Sequence, residues 1–246
     1  MTSFGHPHRH FRVTDSTNDR AKELAMAGAP GGMVVTADEQ TAGRGRRGSE
    51  WFAPAGSCLL YSALQRPFTA DEATLLPLVV PVAVCEAAES VAPVRCQLKW
   101  PNDVWIDERK VAGILVEARP DDSWAVIGVG LNVAVPEDAF PPELRDTATS
   151  LLPTEAEGGL PLGGAPGVRR ARAALNESLT RWVAASDDQV LASFRARDAL
   201  SGKRVSWQDG EGTAVEIDER GHLVVDQSDG ERVALGAGEV HLAVER

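Results

Sequence analysis

Cysteine and positive charge are both scarce in this chain of 246 residues, and each scarcity excludes a class of protein. The three cysteines are an odd number without Cys-x-x-Cys spacing, which indicates neither a disulfide framework nor a zinc site; they are Cys58, Cys85 and Cys96. The 25 lysines and arginines are outnumbered by 36 acidic residues, which gives a formal net charge of -11. Because nucleic-acid and anionic-membrane binding both depend on cationic side chains, this balance argues against those functions.

Long apolar runs are also missing. The longest apolar region, Leu75 to Val84, is interrupted by Pro77 and Pro81. A transmembrane helix needs about 20 consecutive apolar residues, and no signal-peptide pattern is present. We therefore predict no membrane span and expect a cytoplasmic protein.

The chain is long enough for one large domain and one small domain, since a typical domain takes about 100–150 residues. We expect residues 1–13 to be a disordered tail, residues 14–200 to form the main domain and residues 201–246 a small C-terminal domain. The tail holds His6, His8 and His10, for which metal binding stays open although a disordered end is favoured. Because the tail is too short for a helix-turn-helix, we expect no DNA-binding module ahead of the main domain.

The order of patterns predicts an α+β fold, with a mixed, mostly antiparallel sheet backed by helices. Helical spacing begins at Ser16–Thr17, spans Glu72–Val91 and continues over 168–197 with one break. Strand patterns cover Met33–Ala37, Ser57–Leu64, Gln97–Trp100, Val104–Ile106, Lys110–Ala118 and Trp124–Val135. A stretch rich in Gly, Pro and Glu, 155–167, predicts a surface loop. After Lys203, five short strands with Asp-Gly and Arg-Gly turns predict a small SH3-like β-barrel.

A loop rich in glycine and arginine, Gln40 to Trp51, interrupts this acidic chain. Glycine lets main-chain N–H groups approach a ligand closely, and guanidinium groups offer forked donors to phosphate or carboxylate. The core of the loop reads Gly43, Arg44, Gly45, Arg46, Arg47 and Gly48. A solvated basic loop is the alternative interpretation.

Three further motifs accompany the loop. They are Ser16-Thr17-Asn18 at a helix start, Lys99-Trp100-Pro101-Asn102-Asp103 at a strand end, and Arg109 to Glu117 followed by Ile127 to Asn132. Ser16 or Thr17 could serve simply as an N-cap. We expect Asn102 and Asp103 to fix their turn through side-chain-to-backbone bonds and so to position Lys99. The glycines near Val129 do not form a Rossmann fingerprint, because the third glycine and the following helix are absent.

In this order and spacing the motifs resemble the catalytic domain of the biotin–protein ligases, also called biotin–[acetyl-CoA-carboxylase] ligases. The C-terminal barrel resembles theirs as well. The resemblance, which covers roughly Thr14 to the chain end, implies their class II aminoacyl-tRNA synthetase-like fold and the short form without a repressor domain. It also implies two-step chemistry. Biotin and Mg²⁺-ATP would give biotinyl-5′-adenylate and pyrophosphate, and a lysine of the biotin carboxyl carrier protein would then take the biotin.

The resemblance implies a role for each matching residue. The biotin site would comprise Ser16, Thr17, Asn18, Gln40, Gly43, Arg44, Gly45, Arg46, Lys99, Gly113 and Leu115. The nucleotide site would comprise Arg46, Trp51, Lys99 and Asn132. Lys99, Arg44 and Arg46 are the expected catalytic residues, because charge that builds up at the α-phosphate must be neutralised. Lys110 also matches a family position, from which it could reach the phosphates, but we leave it out of the catalytic set because a hairpin lysine is usually solvated. We expect no protein metal site.

Two other functions stay open. A lipoate–protein ligase shares the fold and the adenylation chemistry, although the arginine-rich loop favours biotin. An RNA-binding module gripping RNA through Arg44–Arg47 is disfavoured by the acidic balance and by the lack of aromatic residues within that loop.

Many relatives carry a basic residue where this chain has Ser49, so one phosphate contact is either missing or supplied by Arg47. Monomeric and homodimeric states are both compatible with the sequence.

Overall fold

A seven-stranded sheet forms the body of the protein. The computed structural model describes residues 2–152, 164–236 and 240–242, so most of the predicted loop 155–167 lies outside the described residues. The strands are β1 His8–Thr14, β2 Val34–Gln40, β3 Cys58–Gln65, β4 Gln97–Lys99, β5 Asp103–Ile106, β6 Arg109–Arg119 and β7 Trp124–Asn132. Their spatial order is β1-β2-β3-β7-β6-β5-β4.

The strand directions confirm the predicted mixed, mostly antiparallel sheet. Strands β1 and β2 pair in parallel. Every other pair of neighbouring strands in this sheet is antiparallel. Strands β3 and β7 pair over eight positions, from Cys58 opposite Asn132 to Gln65 opposite Ala125. Because β7 lies at the centre of the sheet with nearly every residue buried, its sequence is apolar almost throughout.

The predicted disordered tail is wrong for the described residues of that segment. Strand β1 pairs with β2 from His8 opposite Val34 to Thr14 opposite Gln40. Its histidines are engaged, because His8 Nε2 and His10 Nδ1 each lie 2.9 Å from the hydroxyl of Thr36. The strand escapes recognition because its side chains are mostly polar and it is stabilised by a neighbour more than twenty residues away.

Four helices back the sheet: α1 Thr17–Met26, α2 Glu72–Val91, α3 Ala165–Val183 and α4 Asp187–Arg195. Helix α2 occupies the predicted range and supplies much of the main core, including Val80, Val82 and Ala83. It is long and apolar enough to cross a membrane, yet 61% of its most apolar window is buried inside the protein, as expected of a core helix. All three cysteines are free and buried.

A second sheet follows, with strands β8 Arg204–Trp207, β9 Gly210–Ile217, β10 Leu223–Gln227, β11 Arg232–Leu235 and β12 His241–Leu242. The five predicted strands are therefore present, in the antiparallel order β11-β10-β9-β8-β12. Their closure into a barrel and the boundary at 201 stay predictions. The sheet is bonded to the main body where the indole N–H of Trp100 donates to the carbonyl of Gly221 at 3.0 Å.

Candidate functional site

A cavity of about 420 Å³ opens between the Gly/Arg loop, the start of α1 and one face of the sheet. Eleven residues singled out from the sequence line it: Ser16, Thr17, Asn18, Gln40, Arg44, Gly45, Arg46, Trp51, Lys99, Gly113 and Leu115. They come from segments almost a hundred positions apart in the chain. The fold therefore brings the four sequence motifs to one place.

Three glycines form the floor of the cavity because they lack side chains. Gly113 of β6 and Gly130 of β7 face each other across the two strands, and the indole of Trp51 lies on both. A Cβ atom at Gly130 would be 2.4 Å from Trp51 Cε2, and one at Gly113 would be 2.9 Å from Trp51 Cζ3. Gly128 leaves room in the same way for the carboxamide of Asn18, whose Oδ1 would be 2.3 Å from a Cβ atom.

A hydrogen-bond network forms one end of the cavity. The backbone N–H and the hydroxyl of Thr17 both donate to Gln40 Oε1, at 2.7 and 3.0 Å. The hydroxyl of Ser62 lies 2.8 Å from Thr17 Oγ1 and 2.6 Å from Asn18 Oδ1. Ser62 is fully buried, and its role is not predictable from sequence because it is a single polar residue in an apolar strand.

Ser16 occupies the N-cap position of α1, but its side chain makes no capping bond. Capping therefore does not account for Ser16, although that role would have sufficed as an explanation from sequence. The residue lines the cavity together with its two neighbours.

The Gly/Arg loop folds back on itself as a small hairpin. The N–H of Gly45 donates to the carbonyl of Ser49 at 2.7 Å, and the N–H of Trp51 donates to the carbonyl of Gly43 at 3.1 Å. The Ser49 hydroxyl donates to the carbonyl of Arg46 at 2.8 Å. Ser49 thus stabilises the loop backbone.

The two expected catalytic arginines of the loop contact different elements. Arg46 Nη1 donates to Asn102 Oδ1 at 3.2 Å. Arg44 Nη2 instead lies 2.6 Å from Asp19 Oδ1 and 3.6 Å from Glu117 Oε2. Arg44 therefore pairs with carboxylates of α1 and β6, whereas Arg46 bonds to the turn after Lys99.

We expected Lys110 to be a solvated hairpin residue, but it lines the cavity; its part in catalysis stays a prediction. Its side chain is 34% exposed, with Nζ 2.7 Å from Asp103 Oδ1, and a Cβ atom at Gly113 would be 3.3 Å from the same nitrogen. The expected turn contacts differ as well. Asp103 pairs with Lys110, and the Asn102 carboxamide donates to the carbonyl of Ile114 on β6 at 3.0 Å. Asn102 thus ties its turn to a neighbouring strand.

Lys99 and Asn132 occupy different environments. Lys99 lines the cavity, and its Nζ lies 5.3 Å from the ring centroid of Trp105. Asn132 is buried, with Nδ2 donating to the carbonyl of Thr149 at 3.0 Å and Oδ1 lying 3.6 Å from Cys58 Sγ. The structure therefore brings Lys99 to the cavity and leaves Asn132 beneath its surface, where it holds the segment after β7.

The glycine floor, the polar end and the cationic loop together suit a protein that binds a small polar molecule beside an anion. Family models narrow the class of protein further. The model for the biotin/lipoate A/B protein ligase family matches residues 10–133, and that for the biotin protein ligase C terminal domain matches residues 200–242. The chain belongs to the biotin/lipoate A/B protein ligase family.

Individual relatives agree with this assignment. The bifunctional ligase/repressor BirA of Bacillus spizizenii is 40% identical over 149 residues, which cover 59% of this chain and 46% of that protein, so the chain matches less than half of that relative's length. The biotin–[acetyl-CoA-carboxylase] ligase of Mycobacterium tuberculosis is 36% identical over 244 residues, covering 92% and 85%. The biotin protein ligase of Aquifex aeolicus in complex with biotin and ATP superposes with a TM-score of 0.77 at 27% identity, covering 97% and 100%.

The glycine floor leads to a stability prediction. Gly130→Ala would place a methyl group where the Trp51 indole lies, and we expect a destabilisation of about 1–3 kcal/mol from overpacking. In a Trp51→Ala background the same substitution should cost almost nothing, because the colliding ring is gone. Urea unfolding of the four proteins of this double-mutant cycle measures both effects. Equal costs in the two backgrounds would show that the indole does not rest on the floor.

Proposed function

We propose that this protein is an ATP-dependent biotin–[acetyl-CoA-carboxylase] ligase, which forms biotinyl-5′-AMP and transfers biotin to a lysine of a biotin carboxyl carrier domain. The observation that carries the proposal is the single cavity in which a polar hydrogen-bonding end faces cations from the loop and from two hairpin strands. Its likeness to the Aquifex aeolicus ligase, whose complex holds biotin and ATP, supports the same function.

The first step must bring two anions together. A carboxylate oxygen of biotin forms a bond to the α-phosphorus of ATP, the bond to the bridging oxygen breaks, and pyrophosphate leaves. Arg46, Lys99 and Lys110 surround the cavity and can neutralise the charge that develops during this displacement. The polar end, with Thr17 and Gln40, would hold the ureido ring of biotin and so align its carboxylate.

The site fits a magnesium ion that arrives with the nucleotide. Among the described residues, no group of three or more His, Cys, Asp or Glu side chains is arranged to hold a metal, and Asp103 and Glu50 are the carboxylates in the cavity lining. Mg²⁺ usually takes one or two carboxylates plus substrate phosphates and keeps several waters. Asp103 would hold the ion, which when bound offsets the charge of the departing pyrophosphate.

The second step transfers the activated vitamin to protein. The amine of the acceptor lysine attacks the acyl carbon, the bond to the phosphate oxygen breaks, and AMP leaves. Until then the anhydride must be shielded from water, a task that suits the Gly/Arg hairpin over the cavity. We further propose that the carrier domain is the protein partner, that neither DNA nor a membrane is required, that the enzyme works in the cytoplasm and that it is a monomer or a homodimer.

Pyrophosphate release tests the function directly. Purified protein with Mg²⁺-ATP should release pyrophosphate when biotin is added, and not with lipoate or with neither acid. Release with lipoate alone would identify a lipoate–protein ligase instead. No release with either acid, from protein that is folded by circular dichroism, would overturn the proposal.

Arg46 is expected to retain the intermediate. Arg46→Gly should release biotinyl-adenylate and label proteins promiscuously, since the guanidinium that faces the Asn102 turn is lost from the cover of the anhydride. Filter binding of radiolabelled adenylate measures retention, with Arg46→Lys as the variant that keeps the charge but not the forked donor. Unchanged retention in Arg46→Gly would contradict this role of the loop.

Substitution of each lysine tests its role. Lys99→Met and Lys110→Met should each slow pyrophosphate release by about 100-fold, the usual cost of losing one charge-stabilising donor, because both side chains line the cavity. Lys203→Met is the control, since that ammonium pairs with Glu108 at 2.6 Å on the exposed surface. A variant whose rate equals that of Lys203→Met would exclude its lysine from charge stabilisation.

A further inference from the structure

Glu117 of β6 lies just outside the cavity and bonds to two residues of α1. Its Oε2 accepts a hydrogen bond from Asn18 Nδ2 at 2.8 Å, and its Oε1 accepts one from Lys22 Nζ, also at 2.8 Å. The side chain is 28% exposed. One carboxylate thus connects the residue at the polar end of the cavity to a cation on the next turn of the helix.

The bond to Glu117 fixes the orientation of the Asn18 carboxamide. Its nitrogen carries two N–H donors, of which one meets the carboxylate and the other the carbonyl of Leu115 at 3.2 Å. Both partners are acceptors only, so the amide oxygen cannot lie there. That oxygen is turned instead toward the hydroxyl of Ser62, at 2.6 Å, and toward Gly128 on the cavity floor.

The same charge cluster holds the loop arginine. Arg44 lies against Asp19 and Glu117, and Lys22 bridges those two carboxylates. Burial alone lowers the pKa of Lys22, but hydrogen bonds to Asp19 and Glu117 outweigh burial and the pKa is raised. Lys22 therefore stays charged and holds the Glu117 carboxylate through a bond of 2.8 Å that does not involve Arg44.

Building on the proposed function, we infer that Glu117 is a positioning residue that selects biotin by holding the Asn18 amide oxygen toward the vitamin. An acceptor at that position suits the ureido N–H donors of biotin, whereas the dithiolane ring of lipoate has no N–H to offer. A site built to bond such a donor discriminates strongly against an analogue that lacks it. Glu117 would thus set specificity without touching the substrate.

The test is Glu117→Gln, which keeps the shape of the side chain but provides one acceptor and one donor. If the oxygen of the new glutamine faces Asn18, its amide nitrogen faces the Lys22 ammonium, which is also a donor. If the glutamine amide is reversed, its nitrogen faces the nitrogen of Asn18, and the Asn18 carboxamide must flip. Loss of a hydrogen bond to a charged group should weaken biotin binding by about tenfold or more. The dissociation constant comes from titration calorimetry with biotin alone, and the preference for biotin over lipoate in pyrophosphate release should narrow.

Three further variants separate the routes by which Glu117 could act. Glu23→Gln removes the same charge from α1, where Glu23 pairs with Arg20, and should leave biotin affinity unchanged. Asp19→Asn removes a carboxylate from Arg44 and from Lys22 but leaves the bond between Asn18 and Glu117, and should weaken biotin binding less than Glu117→Gln does. In an Asn18→Ala background, Glu117→Gln should add less than about a twofold change, because two substitutions that act through one contact are not additive.

The outcomes distinguish this inference from the function on which it rests. If the wild-type protein does not bind biotin, the proposed function fails. If the wild type binds and Glu117→Gln binds equally well, the inference alone fails. An equal loss in Asp19→Asn, or an undiminished effect of Glu117→Gln without the Asn18 amide, would also overturn it. Thermal unfolding of each variant confirms that a loss of affinity is not a loss of fold.

Discussion

Three glycines on two neighbouring strands are the constraint on which the rest of the site depends. Because Gly113, Gly128 and Gly130 have no side chains, three methyl groups or more are missing from one face of the sheet. In the space that they leave, an indole and a carboxamide lie against the backbone. The flanking residues of β7 remain apolar and buried, so the sheet stays well packed while one strip of it is open to a ligand.

The cavity is lined by positively charged side chains although the protein as a whole is acidic. A chain with a net charge of -11 gathers cations from the loop and from two hairpin strands around one cavity. Two of these cations, Arg44 and Lys110, pair with the carboxylates of Asp19 and Asp103. These pairs offset the mutual repulsion of the cations.

Sequence patterns predicted the parts of the site whose identity is local. The Gly/Arg loop and the turn after Lys99 are short motifs with unusual composition. Helix α2 is predictable because its long apolar stretch covers the whole helix. Ser62 and β1 were not predictable, because their roles depend on partners far away in the chain. The surroundings of Lys110 were not predictable for the same reason, because only the fold shows that its neighbour across the hairpin is Asp103 and that a glycine leaves space beneath it.

A hydrogen bond of Trp100 connects the seven-stranded sheet to the C-terminal sheet. Its indole N–H is bonded to Gly221 in the turn between β9 and β10, while its backbone belongs to the turn that carries Lys99. A displacement of the C-terminal sheet must either break that bond or drag the turn along. The small sheet is therefore fixed to the cavity wall through this hydrogen bond, and removing the sheet would deprive the turn after Lys99 of that contact.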